Sequence, residues 1–272
     1  MNHEFTVQSA TLATLPDVYA LLPDPQDRER RTADTHQRIE DGKLTPEQFL
    51  ILRSARGVEG VVLVSRPPRV PVFPQVRPDT TDAALSGLLT ELYARTEPGK
   101  MLILQDDRFP LRAELAQAAG WQPDGEGAHV MYQTDLTARP YRLDPHITEY
   151  PHGTEWPHAV HDLMTRLGRA DWESSDGWTL ISVPDDAGHP AGLAASGPGG
   201  RPGEISVNML GVRPDQRGRG LGRRLEEHLF ARALPTFTRH AGGTDASNHP
   251  MRRILEGLGS RLVATQLYFT RP

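Results

Sequence analysis

Three observations predict an α/β fold arranged as two tandem copies of one domain. Two short stretches return in the same order: Val76-Arg77-Pro78-Asp79 as Val212-Arg213-Pro214-Asp215, and Leu92-Tyr93-Ala94-Arg95 as Leu229-Phe230-Ala231-Arg232. Apolar runs of strand type alternate with segments whose apolar residues recur every three or four positions, the spacing of one helix face. The second copy also holds a strand, a glycine turn and a helix in succession: Glu204 to Val212, then Arg217-Gly218-Arg219-Gly220-Leu221-Gly222, then the stripe Leu221, Leu225, Leu229. A chain of 272 residues is long enough for two cores, whereas a solenoid needs three or more repeats of about 20–50 residues.

In the first copy, Phe5 to Ala10 reads as a strand and Leu15 to Leu22 as a helix with proline in its first turn. Gln26 to Lys43 is charged and predicts an exposed helix. Phe49 to Ala55 and Val58 to Ser65 flank Arg56-Gly57 as a hairpin, with Val70 to Val76 as a proline-interrupted third strand. A helix carrying Leu85, Leu88, Leu89 and Leu92 on one face follows. Met101 to Gln105 then reads as a buried strand, Leu111 to Ala119 as a helix and Ala128 to Thr134 as a closing strand.

The second copy repeats this order. Thr148 begins a strand, Trp156-Pro157 opens a helix, and Trp178 to Val183 pairs with Ala191 to Ser196 around Asp185-Asp186-Ala187-Gly188. Glu204 to Val212 is the next strand. Leu221, Leu225 and Leu229 form the core stripe of the helix after it, while Arg223, Arg224, Glu226 and Glu227 fall elsewhere. A strand near Thr236 to Ala241 and a helix ending at Gly257 complete the copy. The segment Leu136 to Pro145, polar with two prolines, marks the junction, so the domains are expected at residues 1–138 and 139–272.

A net charge of −5, with 37% hydrophobic and 24% charged residues, describes an ordinary soluble protein. No basic run suits nucleic acid and no apolar run suits a membrane. The start, Met1 to Val7, lacks the pattern of a secretory leader, and a cytoplasmic enzyme is the expectation. With no cysteine, disulfides, thiolate metal ligands and a thiol nucleophile are excluded.

The chemistry concentrates at the glycine turn. A helix start carries unpaired N–H groups and the positive end of the dipole, and glycines let a ligand approach that backbone closely. Arg213, Arg217, Arg219, Arg223 and Arg224 add positive charge, which suits a ligand with several phosphates. The run lacks the Gly-Lys-Ser/Thr of a P-loop, and Arg223 stands where a dinucleotide fingerprint needs its third glycine. Between the two repeated stretches the first copy is one residue shorter, and its Thr80 to Leu85, where the second copy has Gln216 to Leu221, keep neither glycine nor arginine; Asp82 there would repel a phosphate.

Arg217-x-x-Gly220-x-Gly222, with Val212-x-Pro214 ahead of it, resembles the acyl-CoA signature of the GNAT N-acetyltransferase superfamily. The chain is similar to the tandem members of that family, of the mycothiol synthase type in architecture. The resemblance implies that each domain is a mostly antiparallel mixed sheet flanked by helices. It also implies acetyl-CoA as cosubstrate, no metal, and acetyl transfer to the amine of a small-molecule acceptor.

It carries Leu210, Gly211 and Val212 across as backbone contacts to the pantetheine arm. Arg217, Gly218, Arg219, Gly220, Leu221 and Gly222 become the pyrophosphate turn, and Asn248 either contacts CoA or caps the helix after it. Leu255 occupies the position where the family often has a tyrosine acid, and leucine donates no proton. Ser247, His249 and Tyr268 are the alternative donors.

Glu204, Ser206 and Asn208 alternate along one strand, and Glu204, the ionisable one, is the candidate general base, provided no bulge intervenes. Asp171, Trp172 and Glu173 lie where the family builds its acceptor pocket; two carboxylates beside an aromatic suit a cationic amine. His158, His161 and Asp162 have helical spacing but no third ligand segment, and are read as a polar helix face. Two other readings remain open: an acyl-CoA-binding or regulatory protein without useful turnover, and a scaffold that binds no CoA. A monomer is favoured, because the tandem copies can mimic a homodimer within one chain.

Overall fold

The computed structural model describes residues 5–65, 67, 70–125 and 127–272. Met1 to Glu4, at the start read above for a leader, lie outside the described residues. The chain folds as two compact units, Met1–His129 with Ala264–Pro272, and Val130–Val263.

The first unit contains an antiparallel sheet of β1 (Phe5–Ser9), β2 (Phe49–Ser54), β3 (Gly57–Leu63) and β4 (Gln75–Val76), in that order. The hairpin closes where predicted, Ser54 opposite Gly57 at φ +100°. The third strand shrinks to two residues, because Pro71 and Pro74 have no amide to donate; Val72 instead bridges to Leu102. The predicted first helix is a 3-10 helix over Leu12–Tyr19, followed by α1 (Pro25–Glu40), which buries only Thr35.

Helix α2 (Asp82–Arg95) places Leu85, Leu88, Leu89 and Leu92 in a core with Leu50, Leu52, Leu102, Leu104 and Trp121. Each such leucine contributes roughly 1.5–3 kcal/mol on burial. Thr81 caps α2, its hydroxyl accepting from the Ala84 amide at 3.4 Å, and Asp82 pairs with Arg112 at 2.7 Å. The counterpart of the glycine turn thus carries a capping hydroxyl and a carboxylate of its own. Strand β5 (Met101–Gln105), α3 (Ala113–Ala118) and β6 (Gln122–Pro123) follow.

In the second unit, strands β7 (His129–Asp135), β12 (Arg239–Asp245), β11 (Glu204–Val212), β10 (Pro190–Pro198), β9 (Thr179–Pro184) and β8 (Thr148–Pro151) neighbour one another in that order. Alternation along the strands sorts side chains onto two faces. Leu180, Leu193, Ala195 and Met209 meet α4 (His158–Arg166), while Ile181, Val183, Ala191 and Ala194 meet Leu221, Leu225 and Leu229 of α5 (Leu221–Ala233). The stripe is where the sequence places it. Glu226 departs from expectation: it lies on the inward side of α5 and is fully buried.

Strand β12 starts three residues later than expected, because the amides of Thr236 and Phe237 both donate to the Ala233 carbonyl in the turn that ends α5. Helix α6 (His249–Gly257) and β13 (Arg261–Thr270) end the chain.

The unit boundary differs from a cut at 138/139 in one respect that the repeat does not foretell. The closing strand of the first copy, β7, neighbours β12, whereas Gln266–Thr270 of β13 pair antiparallel with β5. Each copy's last strand is thus housed in the other unit.

Candidate functional site

Gly218 and Gly220 adopt φ +77° and +79°, a left-handed backbone that L side chains enter at a cost of about 1–2 kcal/mol. Gly220 is the N-cap of α5, and a Cβ added at either glycine would meet open space. Gly222 serves differently: its Cβ would stand 3.1 Å from Ile254 Cδ1, so it lets α6 pack closely on α5. The first bond of the helix runs from the Arg224 amide to the Gly220 carbonyl. Among the described residues, no backbone carbonyl accepts from the amides of residues 218–223. Six N–H groups without a backbone acceptor at the positive end of a helix form an anion cradle.

The strand leading into this turn parts from its neighbour. Strands β11 and β12 are parallel and pair at Glu204/Arg239, Ile205/His240 and Ser206/Ala241. Beyond Ser206, β11 continues to Val212 while held by β10 alone, and β12 continues to Asp245. Leu210, Gly211 and Val212 pair with Ala194, Leu193 and Gly192, leaving the other edge of β11 free for an extended ligand to bond as a further strand would.

A bulge sits at the opening. Ala195 pairs with Met209 but Ser196 with Val207, so Asn208 is the extra residue. Glu204, Ser206 and Asn208 therefore do not share one regular face, because the bulge reverses the alternation at Asn208. The side chains record this reversal: Val207 packs toward α5 and Met209 toward α4.

The arginines around the turn are partly spoken for. Arg213 pairs with Asp185 at 2.9 Å and Asp215 at 2.8 Å, Arg219 with Asp186 at 3.2 Å, and Arg224 with Asp144 at 2.6 Å. Hydrogen bonds from the His189 amide and Arg213 hold the Asp185 carboxyl below its usual range. Arg217 turns back to donate from Nε to the Val212 carbonyl at 3.1 Å, fixing the turn, and Arg223 donates to the Gly257 carbonyl at 3.3 Å. Sequence reasoning missed Asp185 and Asp186 as partners; the signal was two carboxylates in the predicted hairpin turn.

Asn248 caps α6: its Oδ1 accepts from the Met251 amide at 3.2 Å and its Nδ2 donates to Thr244 at 3.0 Å. Leu255 is buried in the core with Phe230 and Leu258, so no proton donor stands there. Ser247 and His249 are exposed beside Asn248, while Tyr268 belongs to the other unit. Glu204 is buried at the paired end of β11, before the strands part.

Trp172 stacks on Trp156, ring centroids 5.7 Å apart, and meets Trp178 edge-on at 6.3 Å; Asp171 and Glu173 flank it, exposed. His158 lies 3.5 Å from Asp162 and His161 packs on Trp156. Among the described residues no group of three potential metal ligands forms, and no helix is long and apolar enough to cross a membrane.

Comparison with known proteins agrees with this geometry. Residues 141–260 match the model of the acetyltransferase (GNAT) family. A 100-residue stretch is 37% identical to mycothiol acetyltransferase from Acidothermus cellulolyticus, spanning 35% of this chain and 28% of that enzyme. A GCN5-related N-acetyltransferase from Sphaerobacter thermophilus superposes with a TM-score of 0.57 at 17% identity, over 98% of this chain and 96% of that one. Another from Kribbella flavida gives 0.50 at 15% identity, over 79% and 87%. At such identities the structural likeness speaks to fold alone. The stretch that the acetyltransferase (GNAT) family model matches, residues 141–260, holds the glycine turn and the parted strands, and there the chain is similar to that family.

Proposed function

We propose that the second unit binds acetyl-CoA and transfers its acetyl group to the amine of a small-molecule acceptor. The observation that carries this reading is the free edge of β11 running into a turn whose six amides have no backbone acceptor. The amides of 218–223 would hold the pyrophosphate, with Arg219 at the rim, and the edge at Leu210, Gly211 and Val212 would align the pantetheine arm. In the reaction the amine nitrogen attacks the thioester carbonyl, the C–S bond breaks, the thiolate takes a proton and the amine loses one. Glu204 is the proposed base and the Asp171–Trp172–Glu173 segment the acceptor side. The name of the mycothiol acetyltransferase relative supports a small-molecule acceptor. The first unit's turn, with Thr81 as cap and the carboxylate of Asp82 in place of glycines, supports one CoA site per chain.

The buried position of Leu255 favours a second reading, CoA binding without efficient turnover. Incubating the full chain with acetyl-CoA and a panel of small amines, with free thiol followed over time, separates the two. Acceptor-dependent thiol release supports transfer; calorimetric binding of acetyl-CoA with no release on any amine supports the second reading.

A further inference from the structure

Glu226 on α5 and His240 on β12 are buried against each other in the second unit, with Nε2 of the imidazole 3.9 Å from Oε1 of the carboxyl. Neither carboxyl oxygen nor Nε2 has a hydrogen-bond partner, which is costly for groups removed from water. On its other side the imidazole is engaged: Nδ1 lies 3.1 Å from the Thr134 hydroxyl, itself 2.7 Å from that of Ser260. The place is specific. His240 is in the penultimate pair before β11 and β12 part, and its ring leans over Gly242, the first residue past the pairing, where a Cβ would stand 2.7 Å from Nε2. Glu226 stands on the helix whose first turn is the anion cradle.

We propose that Glu226 and His240 share a single proton as a latch between α5 and β12, a positioning pair that fixes the angle at which the two strands part. With the proton on the carboxyl, three donors find acceptors along the row. Glu226 O–H donates to His240 Nε2, His240 Nδ1–H to Thr134, and the Thr134 hydroxyl to Ser260. A small rotation of either side chain closes the 3.9 Å gap. The surroundings favour the neutral pair. Around it are Gly242 of β12, Thr134 of β7 with Ser260 behind it, and Phe230 of α5, whose ring centroid is 4.7 Å from that of the imidazole. On α6, Glu256 accepts from the Tyr132 hydroxyl at 2.7 Å and Arg252 donates to it at 3.3 Å, and on α5 itself His228 is held by Glu149 at 2.9 Å. Burial alone pushes Glu226 up to about 8 and His240 down to about 4. Loss of the proton leaves a bare carboxylate in the core, loosens the latch and weakens the cleft for acetyl-CoA; that last consequence rests on the function proposed above.

The test uses the full chain. Nitrogen-15 shifts of the His240 ring near pH 7, assigned with His240→Gln, are expected to show Nδ1 protonated and Nε2 accepting; a doubly protonated ring or the opposite tautomer overturns the proposal without any engineered fold. Hydrogen exchange of the 239–245 backbone, corrected for intrinsic rate, should lose roughly tenfold protection from pH 6.5 to 8.5 in the wild type. Glu226→Gln, whose amide donates without titrating, should stay flat. Superimposable profiles overturn the latch. Acetyl-CoA affinity should fall several-fold over the same range in the wild type beyond any change in Glu226→Gln. If acetyl-CoA binds at no pH while ring shifts and exchange behave as expected, the latch stands and only the CoA reading fails.

Discussion

Replacing Gly220 by alanine separates the two demands made on that residue. At φ +79° an L side chain costs about 1–2 kcal/mol, offset by roughly 0.5 kcal/mol from the less flexible unfolded chain. The net is about 1 kcal/mol of stability, and no steric cost is added because a Cβ there meets nothing within 4 Å. Gly57→Ala is the matched control: its φ is +100°, its Cβ also meets nothing, and it lies in the hairpin of the first unit. Both variants should lose about 1 kcal/mol in urea unfolding. They should differ with ligand. A methyl in the cradle displaces a phosphate from its amides, and losing one charge-assisted hydrogen bond at about 1.5–3 kcal/mol weakens acetyl-CoA by roughly 10- to 100-fold. Calorimetry should therefore show unchanged affinity in Gly57→Ala and the large loss in Gly220→Ala. Equal affinities in both variants would refute the cradle.

Stability should depend on pH through the buried pair. Glu226, raised from 4.5 to about 8, contributes stability present below pH 4.5 and lost as pH rises to 8; His240, lowered from 6.5 to about 4, contributes stability present above pH 6.5 and lost as pH falls to 4. The two cancel between pH 4.5 and 6.5, and above 6.5 the wild type should lose about 1.4 kcal/mol per pH unit up to pH 8, an alkaline fall that Glu226→Gln abolishes in urea titrations. Because each copy's last strand is housed in the other unit, residues 1–138 and 139–272 expressed apart should aggregate or lack cooperative unfolding; two stable, soluble halves would contradict that topology. Glu204→Gln should lower turnover at unchanged acetyl-CoA affinity, and unaltered turnover removes Glu204 from the mechanism.

Most elements were legible in the sequence because their signals are local. The boundaries of β11, the glycine N-cap of α5 and the Leu221, Leu225, Leu229 stripe follow from alternation, left-handed backbone and helical period. What escaped depends on partners distant in the chain. The bulge at Asn208 exists only in the register with β10, and the ion pairs of Arg213 and Arg219 need the 185–188 hairpin brought beside the turn. Glu226 reads as a surface residue beside Arg223, Arg224 and Glu227; only the fold turns it inward onto His240. The placement of the two closing strands is a matter of pairing between segments more than a hundred residues apart, which a repeated motif does not encode.

The most direct measurement is a calorimetric titration of acetyl-CoA into the folded full chain. One site per chain is the predicted result, since the second unit offers the glycine turn and parted strands while the first has its turn capped by Thr81 and carries Asp82 beside it. No binding, or two comparable sites, would contradict it.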